Sequence, residues 1–371
     1  MSPEVEAAII AAGVGILTLI GAIYGTHKTS QDTKDALNEQ LTEQGKQLDK
    51  TFAEQRDQLD KTLRAQSDQL ERTLTEQRTR TLNERFATAT GQMGSDTPAV
   101  RLAGVYAMGG LADDWEENRQ TCVDVLCAYL RLPYAPDPGE DAPAHKRLDF
   151  QASREVRHTV IRVITAHLQL HAKPSWQGLY FDFRGAVFDG GEFTGANFSG
   201  DARANFSRAE FSSGVVRFDN TRFTDGVVDF RGAKFSGSTV SFGWARFTGG
   251  AVNFNGAEFS GGEVRFDWAG FRGGRVDLGF TKFSGATVDF EDAKFSGSEV
   301  YFFRAQFSDG TVSFGRTRFS GGTVSFDRAE FSGGQVDFSD AGDWSVPPEF
   351  PWTGAAPSGV KLPEKKTQSQ D

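Results

Sequence analysis

Three groups of residues have types and spacing that chemistry could use. His167 and His171 stand four apart at the end of a helical pattern, a spacing that puts two imidazoles on one face and suits a metal ion. No third ligand accompanies them, so the pair reads as exposed or capping residues at a helix carboxyl end, where basic groups are favourable. Cys122 and Cys127 lie five apart in an apolar helical stretch and read as buried small side chains. Without a disulfide framework, the chain fits a reducing compartment. The third group is aromatic and cationic: Trp244 and Trp268 are 24 residues apart, and Phe280, Arg304 and Arg328 follow the same interval. Such residues suit recognition of a partner rather than its transformation, and the alternative is that they merely stack along an exposed sheet and stabilise it. No nucleophile triad, metal cluster or phosphate loop appears, so no catalytic residue, metal or cofactor is expected and the chain reads as a non-enzyme.

The 24-residue interval belongs to a repeat that must position these side chains. Of 33 phenylalanines, 29 fall between Phe181 and Phe338, so the sequence changes character sharply along its length. Two Phe columns, Phe206 to Phe338 and Phe211 to Phe331, each recur every twelve residues, with one exception at Leu278. A Val column runs from Val216 to Val336, and an Ala or Thr column includes Ala209, Thr221, Ala233 and Ala245. Ala-x-Phe and Val-x-Phe are short period-two strands, and the SGG, TGG or SDG between them supplies turns. The expectation is a β-solenoid over residues 178–344.

Two phrases per coil, 24 residues, suit the side-chain volumes better than a flattened 12-residue coil. Charge agrees in part. At 24 the column Glu210, Lys234, Glu258, Lys282, Gln306, Glu330 mostly alternates in sign, whereas at 12 Arg222, Lys234 and Arg246 would stack. Arg222 and Arg246 remain neighbours in either case. The expected rod is roughly 30 Å tall at about 4.8 Å per layer. The helical segment before it can seal the first coil, and Trp344, Pro347, Pro348, Phe350, Pro351 and Trp352 can cover the last. KLPEKKTQSQD then reads as a disordered tail, within a terminal region of residues 345–371.

Phe183, Phe188, Phe193 and Phe198 recur every five residues in FRGAVFDGGEFTGANF, which resembles the pentapeptide repeat. That resemblance implies a right-handed β-helix with the large apolar residue and the small one two before it pointing inward. Here the spacing alternates five and seven, so every second side is longer by two residues. Before the repeat, residues 89–172 read as a small all-α adaptor domain. Its expected helices are Glu84 to Met93, Pro98 to Leu111, Asn118 to Leu130 and Ser153 to His171, with Pro98 as a first-turn proline and Pro133 as a terminator. The stretch ERFATATGQMGSDTPAVRLAGVYAMGGLADD with RQTCVDVLCAYLRLPY is similar to a segment of actinobacterial membrane-anchored pentapeptide-repeat proteins. The resemblance covers roughly Glu84 to Tyr134 and implies no particular activity.

Residues 28–88 read as one long polar helix. Its apolar residues are Leu37, Leu41, Leu48, Phe52, Leu59, Leu63, Leu70 and Leu74, a period of eleven with steps of four and seven. Such a stripe is a narrow coiled-coil seam that winds slightly right-handed, and homo-oligomerisation is its simplest use. Ten Lys or Arg against twelve Asp or Glu over residues 32–86 argue against a helix lying on a membrane. A solvated spacer is the remaining alternative.

Residues 7–25, AAIIAAGVGILTLIGAIYG, are nineteen uncharged positions, about 28 Å as a helix, and lead to the expectation of a transmembrane anchor within residues 1–27. Gly21 and Gly25 form a small-residue step within it. His27, Lys28 and Lys34 after the run predict a single-pass protein of the cell membrane with its bulk in the cytoplasm.

Three function classes follow. The first is a membrane-tethered scaffold that presents a rigid solenoid to a protein partner of unknown identity. The second is a DNA mimic that modulates topoisomerases, as some pentapeptide proteins do; it needs an ordered carboxylate face, yet residues 181–343 hold 22 acids and 17 bases. The third is a β-helix enzyme acting on polysaccharides, which needs converging acids and bases in a groove. A net charge of −10 argues against nucleic acid as a partner.

Overall fold

The computed structural model describes residues 31–199 and 203–364. Among these residues no helix is long and apolar enough to cross a membrane. This overturns the expected transmembrane element of the fold and, with it, the single-pass membrane localisation. The longest described helix, Gln31–Met93, is polar on most of its circumference. The segment 7–25, where the anchor was placed, lies outside the described residues.

The chain forms two compact units, Met1–Thr79 and Arg80–Asp371. Helix α1, Gln31–Met93, is 63 residues long, or about 93 Å at 1.5 Å per residue. Its Gln, Glu, Lys, Arg and Leu content gives it high intrinsic helix propensity. Pairs four apart, Asp57 with Lys61 at 2.6 Å and Arg80 with Glu84 at 2.9 Å, add modest support. Within the first unit the seam residues are open to solvent: Leu41, Leu48, Phe52, Leu59, Leu63, Leu70 and Leu74 are 39% to 60% exposed. Leu37 is half-buried.

The second unit begins with a helical layer. Helix α2 (Pro98–Asp114) starts at the proline after an extended Thr97, as the first-turn rule requires. Helix α3 spans Arg119–Arg131 and helix α4 Ala144–His167. Their core holds Val105, Met108, Leu111, Val123, Leu126, Val160 and Ile164, with Met93 and Ala89 from the end of α1. A side chain at Gly104 would meet the Met93 backbone nitrogen at 2.6 Å, so α2 and the end of α1 approach as closely as backbones can. Helix α4 starts nine residues before the expected Ser153 and stops four before His171. Its polar first turns, AHKRLD, show no apolar periodicity to a reader of the sequence.

The repeat folds as a β-solenoid of about seven turns. All ladders between its named strands are parallel, and from Arg203 onward partners are 24 residues apart, as Phe211 with Phe235, Val216 with Val240, Phe271 with Phe295 and Phe295 with Phe319, except at the register shifts Ser284 with Asp309 and Ser296 with Gly321. In the first coil the interval is 23 or 25, as Tyr180 pairs with Arg203 and Asn197 with Arg222. Each coil has four short sides in two bent sheets. One kind of corner is the Ser-Gly segment, which in later coils stays within a single strand such as Lys282–Asp289 or Lys294–Tyr301. The other is a tight turn after Val-x-Phe.

Inside, the phenylalanines stack in near-parallel columns one layer apart. Phe235 and Phe259 have centroids 4.7 Å apart at 3°, and Phe283 and Phe307 repeat the geometry at 4.7 Å and 4°. Thr281 and Thr317, buried in the Ala column, donate to the carbonyls of Leu278 and Phe290 at 2.7 Å, which satisfies their hydroxyls. In the charge column Lys282 reaches Glu258 at 3.0 Å, and the Gln306 amide donates to Glu330 at 3.3 Å.

Both ends are closed. At the start, helical side chains take up carbonyls that have no lower coil. Gln120 donates to Tyr180 O at 2.8 Å, Arg131 to Asp182 O at 2.8 Å, Arg157 to Val187 O at 2.7 Å and Arg154 to Asp189 O at 2.9 Å. Thr165 and Gln169 do the same for Glu192 O and Thr194 O, at 2.8 and 3.1 Å. At the far end Trp344 packs edge-on to Phe319 at 5.4 Å, Phe350 stacks on Phe326 at 5.4 Å, and Trp352 meets Phe331 at 5.2 Å. Val360–Lys361 adds a parallel strand to Gln335–Asp337. Lys361, the first residue of KLPEKKTQSQD, is therefore paired in a strand and not disordered.

Candidate interaction faces on the solenoid corners

The tight corners need one residue in the left-handed region, since the chain must reverse within two residues while keeping both flanking strands in register. At Gly185, Gly232 and Gly256 that residue is glycine, with φ of 66°, 63° and 68°. At Asn220 and Asp292 it is a short polar residue that tolerates the region. Trp244 and Trp268 occupy the same position with φ of 59°, and Phe280, Arg304 and Arg328 with 55°, 54° and 56°. A large side chain there costs roughly 1–2 kcal/mol over glycine's freedom. Packing inside the coil does not require it, because these side chains point outward.

The 24-residue coil brings the two tryptophans together. Their rings stack at 4.9 Å and 5°, and they are 55% and 42% exposed. Half a coil away a second cluster forms. Arg304 lies 5.9 Å from the Phe280 ring and 5.4 Å from Phe303, Arg328 lies 5.7 Å from Phe303, and Phe280 and Phe303 meet edge to face at 5.6 Å. These are cation–π and aromatic contacts on an open surface. Phe303 was missed by sequence reasoning. The available signal was that it is a phenylalanine at the first turn position, where the other coils hold Ser, Asp, Gly, Asn, Arg or Glu.

The histidine and cysteine pairs have structural surroundings. His167 is neither exposed nor a simple cap: its ring stacks on buried Trp176 at 4.0 Å, Nδ1 meets Val163 O at 2.7 Å and Nε2 meets Asp113 Oδ2 at 3.1 Å. His171 is exposed on the following turn. Among the described residues no group of three or more His, Cys, Asp or Glu could hold a metal ion. Cys122 and Cys127 are free and buried, and burial pushes their thiols up to about 11 and about 12.

A buried polar junction joins the helices to the first coil. Asp189 accepts from Tyr134 at 2.7 Å and faces His158 at 3.2 Å and Arg154 at 3.3 Å. Burial alone would raise its carboxyl, but the hydrogen bonds from His158 and Tyr134 and the nearby charges outweigh that and hold it below the ordinary carboxylate range. Burial lowers the Arg157 guanidinium, which lies 4.2 Å over the Tyr134 ring and donates to Leu130 O at 2.9 Å. This junction is a seal in which the Asp189 carboxylate is shared by Tyr134, His158 and Arg154.

Comparison with known proteins adds one finding. The family model described as pentapeptide repeats (9 copies) matches residues 183–228 and 218–269. The match covers the five-residue opening and the first coils of the longer repeat, and the solenoid is therefore a pentapeptide-repeat β-solenoid over that stretch. Neither the curated proteins nor the solved structures contain a match to the chain.

Proposed function

We propose that the protein is a non-enzymatic scaffold whose solenoid presents corner side chains to a protein partner. The observation that supports this most is the occupancy of left-handed corner positions by Trp244 and Trp268, stacked and half exposed, where the neighbouring coils of the same column hold Asn220, Asp292 and Arg316. Backbone strain kept at an exposed aromatic pair points to use rather than to packing. Phe280, Phe303, Arg304 and Arg328 offer a second face of the same chemistry, and aromatic residues with Arg are the types enriched where proteins bind one another. Mixed signs in the outward columns weigh against a DNA-like carboxylate face.

The long helix gives the scaffold a means of self-association. Its open stripe from Leu37 to Leu74 is the surface through which copies would join as a coiled coil. The test of the docking face is affinity capture from a cell extract with the full chain and with a Trp244→Gly, Trp268→Gly chain of equal stability. Selective loss of a defined set of proteins from the variant is expected; an unchanged set would reject the tryptophan corner as the docking face.

A further inference from the structure

The exposed stripe on α1 contains a polar column as regular as its leucines. Gln44, Gln55, Gln66 and Gln77 recur every eleven residues, and all four are exposed. Eleven residues in three turns place successive side chains about 98° apart. With Leu37, Leu48, Leu59 and Leu70 at zero, Leu41, Phe52, Leu63 and Leu74 then lie at about +33° and the glutamines at about −33°. The far side is charged: Asp57 with Lys61 and Glu43 with Lys46 form their ion pairs there, at 2.6 and 3.6 Å.

We infer that α1 associates with a second copy of itself, parallel and in register, and that the four glutamines form interior layers that fix this register. The inference rests on the self-association reading above and deepens it. Leucine and phenylalanine alone give two seam positions per eleven residues, fewer than the two per seven of an ordinary coiled coil. Glutamine makes three per eleven, with steps of four, three and four, which restores the usual density.

Orientation follows from the pattern. An antiparallel pair can align every apolar residue, Leu37 with Leu74, Leu41 with Leu70, Leu48 with Leu63 and Phe52 with Leu59. That alignment sets Gln44 against Ser67, Gln55 against Arg56, Gln66 against Gly45 and Gln77 against Lys34. No antiparallel register pairs both the leucines and the glutamines. A parallel, in-register pair does so at every layer, and each amide can donate to its counterpart's oxygen. A slip of three, four or seven residues puts amides against leucines and leaves them unpaired, and a slip of eleven pairs like with like but loses a whole repeat of layers, so full overlap is favoured. The flanks permit this arrangement: Thr51, Thr62, Thr73, Gln47, Gln58 and Gln69 give one uncharged side, so the charges of the opposite flank meet no like charge across a parallel pair.

The experiment uses the full chain, whose two native thiols are buried. Gln44→Cys and Gln77→Cys, each alone, should form disulfide-linked dimers on mild oxidation, while Lys61→Cys on the far face should not. A Gln55→Leu, Gln66→Leu chain should associate more tightly and lose its single mass in sedimentation. A wild-type chain that stays monomeric at every concentration overturns the self-association reading and this inference together. An oligomer in which Gln44→Cys links only to Ser67→Cys overturns the parallel register alone. An oligomer whose mass and affinity are indifferent to the two leucines removes the glutamine layers.

Discussion

Replacing Trp244 and Trp268 by glycine separates use from stability. Each corner holds φ near 59°, so the pair carries left-handed strain of roughly 1–2 kcal/mol per residue, or about 2–4 kcal/mol in all. Against this, the ring stack at 4.9 Å contributes about 0.5–1.5 kcal/mol beyond its buried area. Two glycines add roughly 0.5–1 kcal/mol each of unfolded-chain entropy. The opposing contributions nearly cancel, and the double variant should unfold within about 1 kcal/mol of the parent. Urea unfolding followed by far-ultraviolet circular dichroism measures this, with Trp268→Asn as a companion that tolerates the left-handed region. A loss above about 3 kcal/mol, the scale of a buried aromatic truncation, would show that the indoles hold the coil together and would refute the strain argument.

Other outcomes follow from the interior and the seals. Phe259→Ala, in the middle of a stacked column, should cost about 3–5 kcal/mol and, because layers contact mainly their neighbours, should raise amide exchange in adjacent coils before distant ones. Arg157→Ala should cost about 3 kcal/mol in urea unfolding, since it strips donors from the buried Leu130 O and the partly buried Val187 O. Asp189 has a depressed carboxyl pKa, so its contribution is present above the ordinary value near 3.9 and is lost as pH falls through its lower folded value. Thermal unfolding of the parent should therefore drop below about pH 4, and Asp189→Asn should be weaker at neutral pH and flatter in acid.

A repeat of twelve keeps Phe on Phe and Val on Val at either 12 or 24 residues per coil, so the coil length was legible only through side-chain volume and the charge column, and Phe319 does lie on Phe295. The corner columns were legible from the same interval. Phe303 was not, because nothing local distinguishes an outward phenylalanine from a column member without the turn geometry. Gln120, Arg154 and Gln169 were equally opaque, since their partners lie 25 to 60 residues away along the chain. The start of α4 was hidden by a polar first turn, and the apolar run at 7–25 suggested an anchor by length and composition alone.

Because one coil consists of two twelve-residue phrases, length and facing are inherited by different steps. Duplication of a phrase pair lengthens the rod by one layer and leaves every outward column where it was. Insertion of a single phrase instead transfers everything beyond it to the opposite corner. Trp268 and Phe280 are separated by one such phrase, and they sit on different corners for that reason alone. A lineage of such chains can thus exchange its faces by parity, without altering a residue of either.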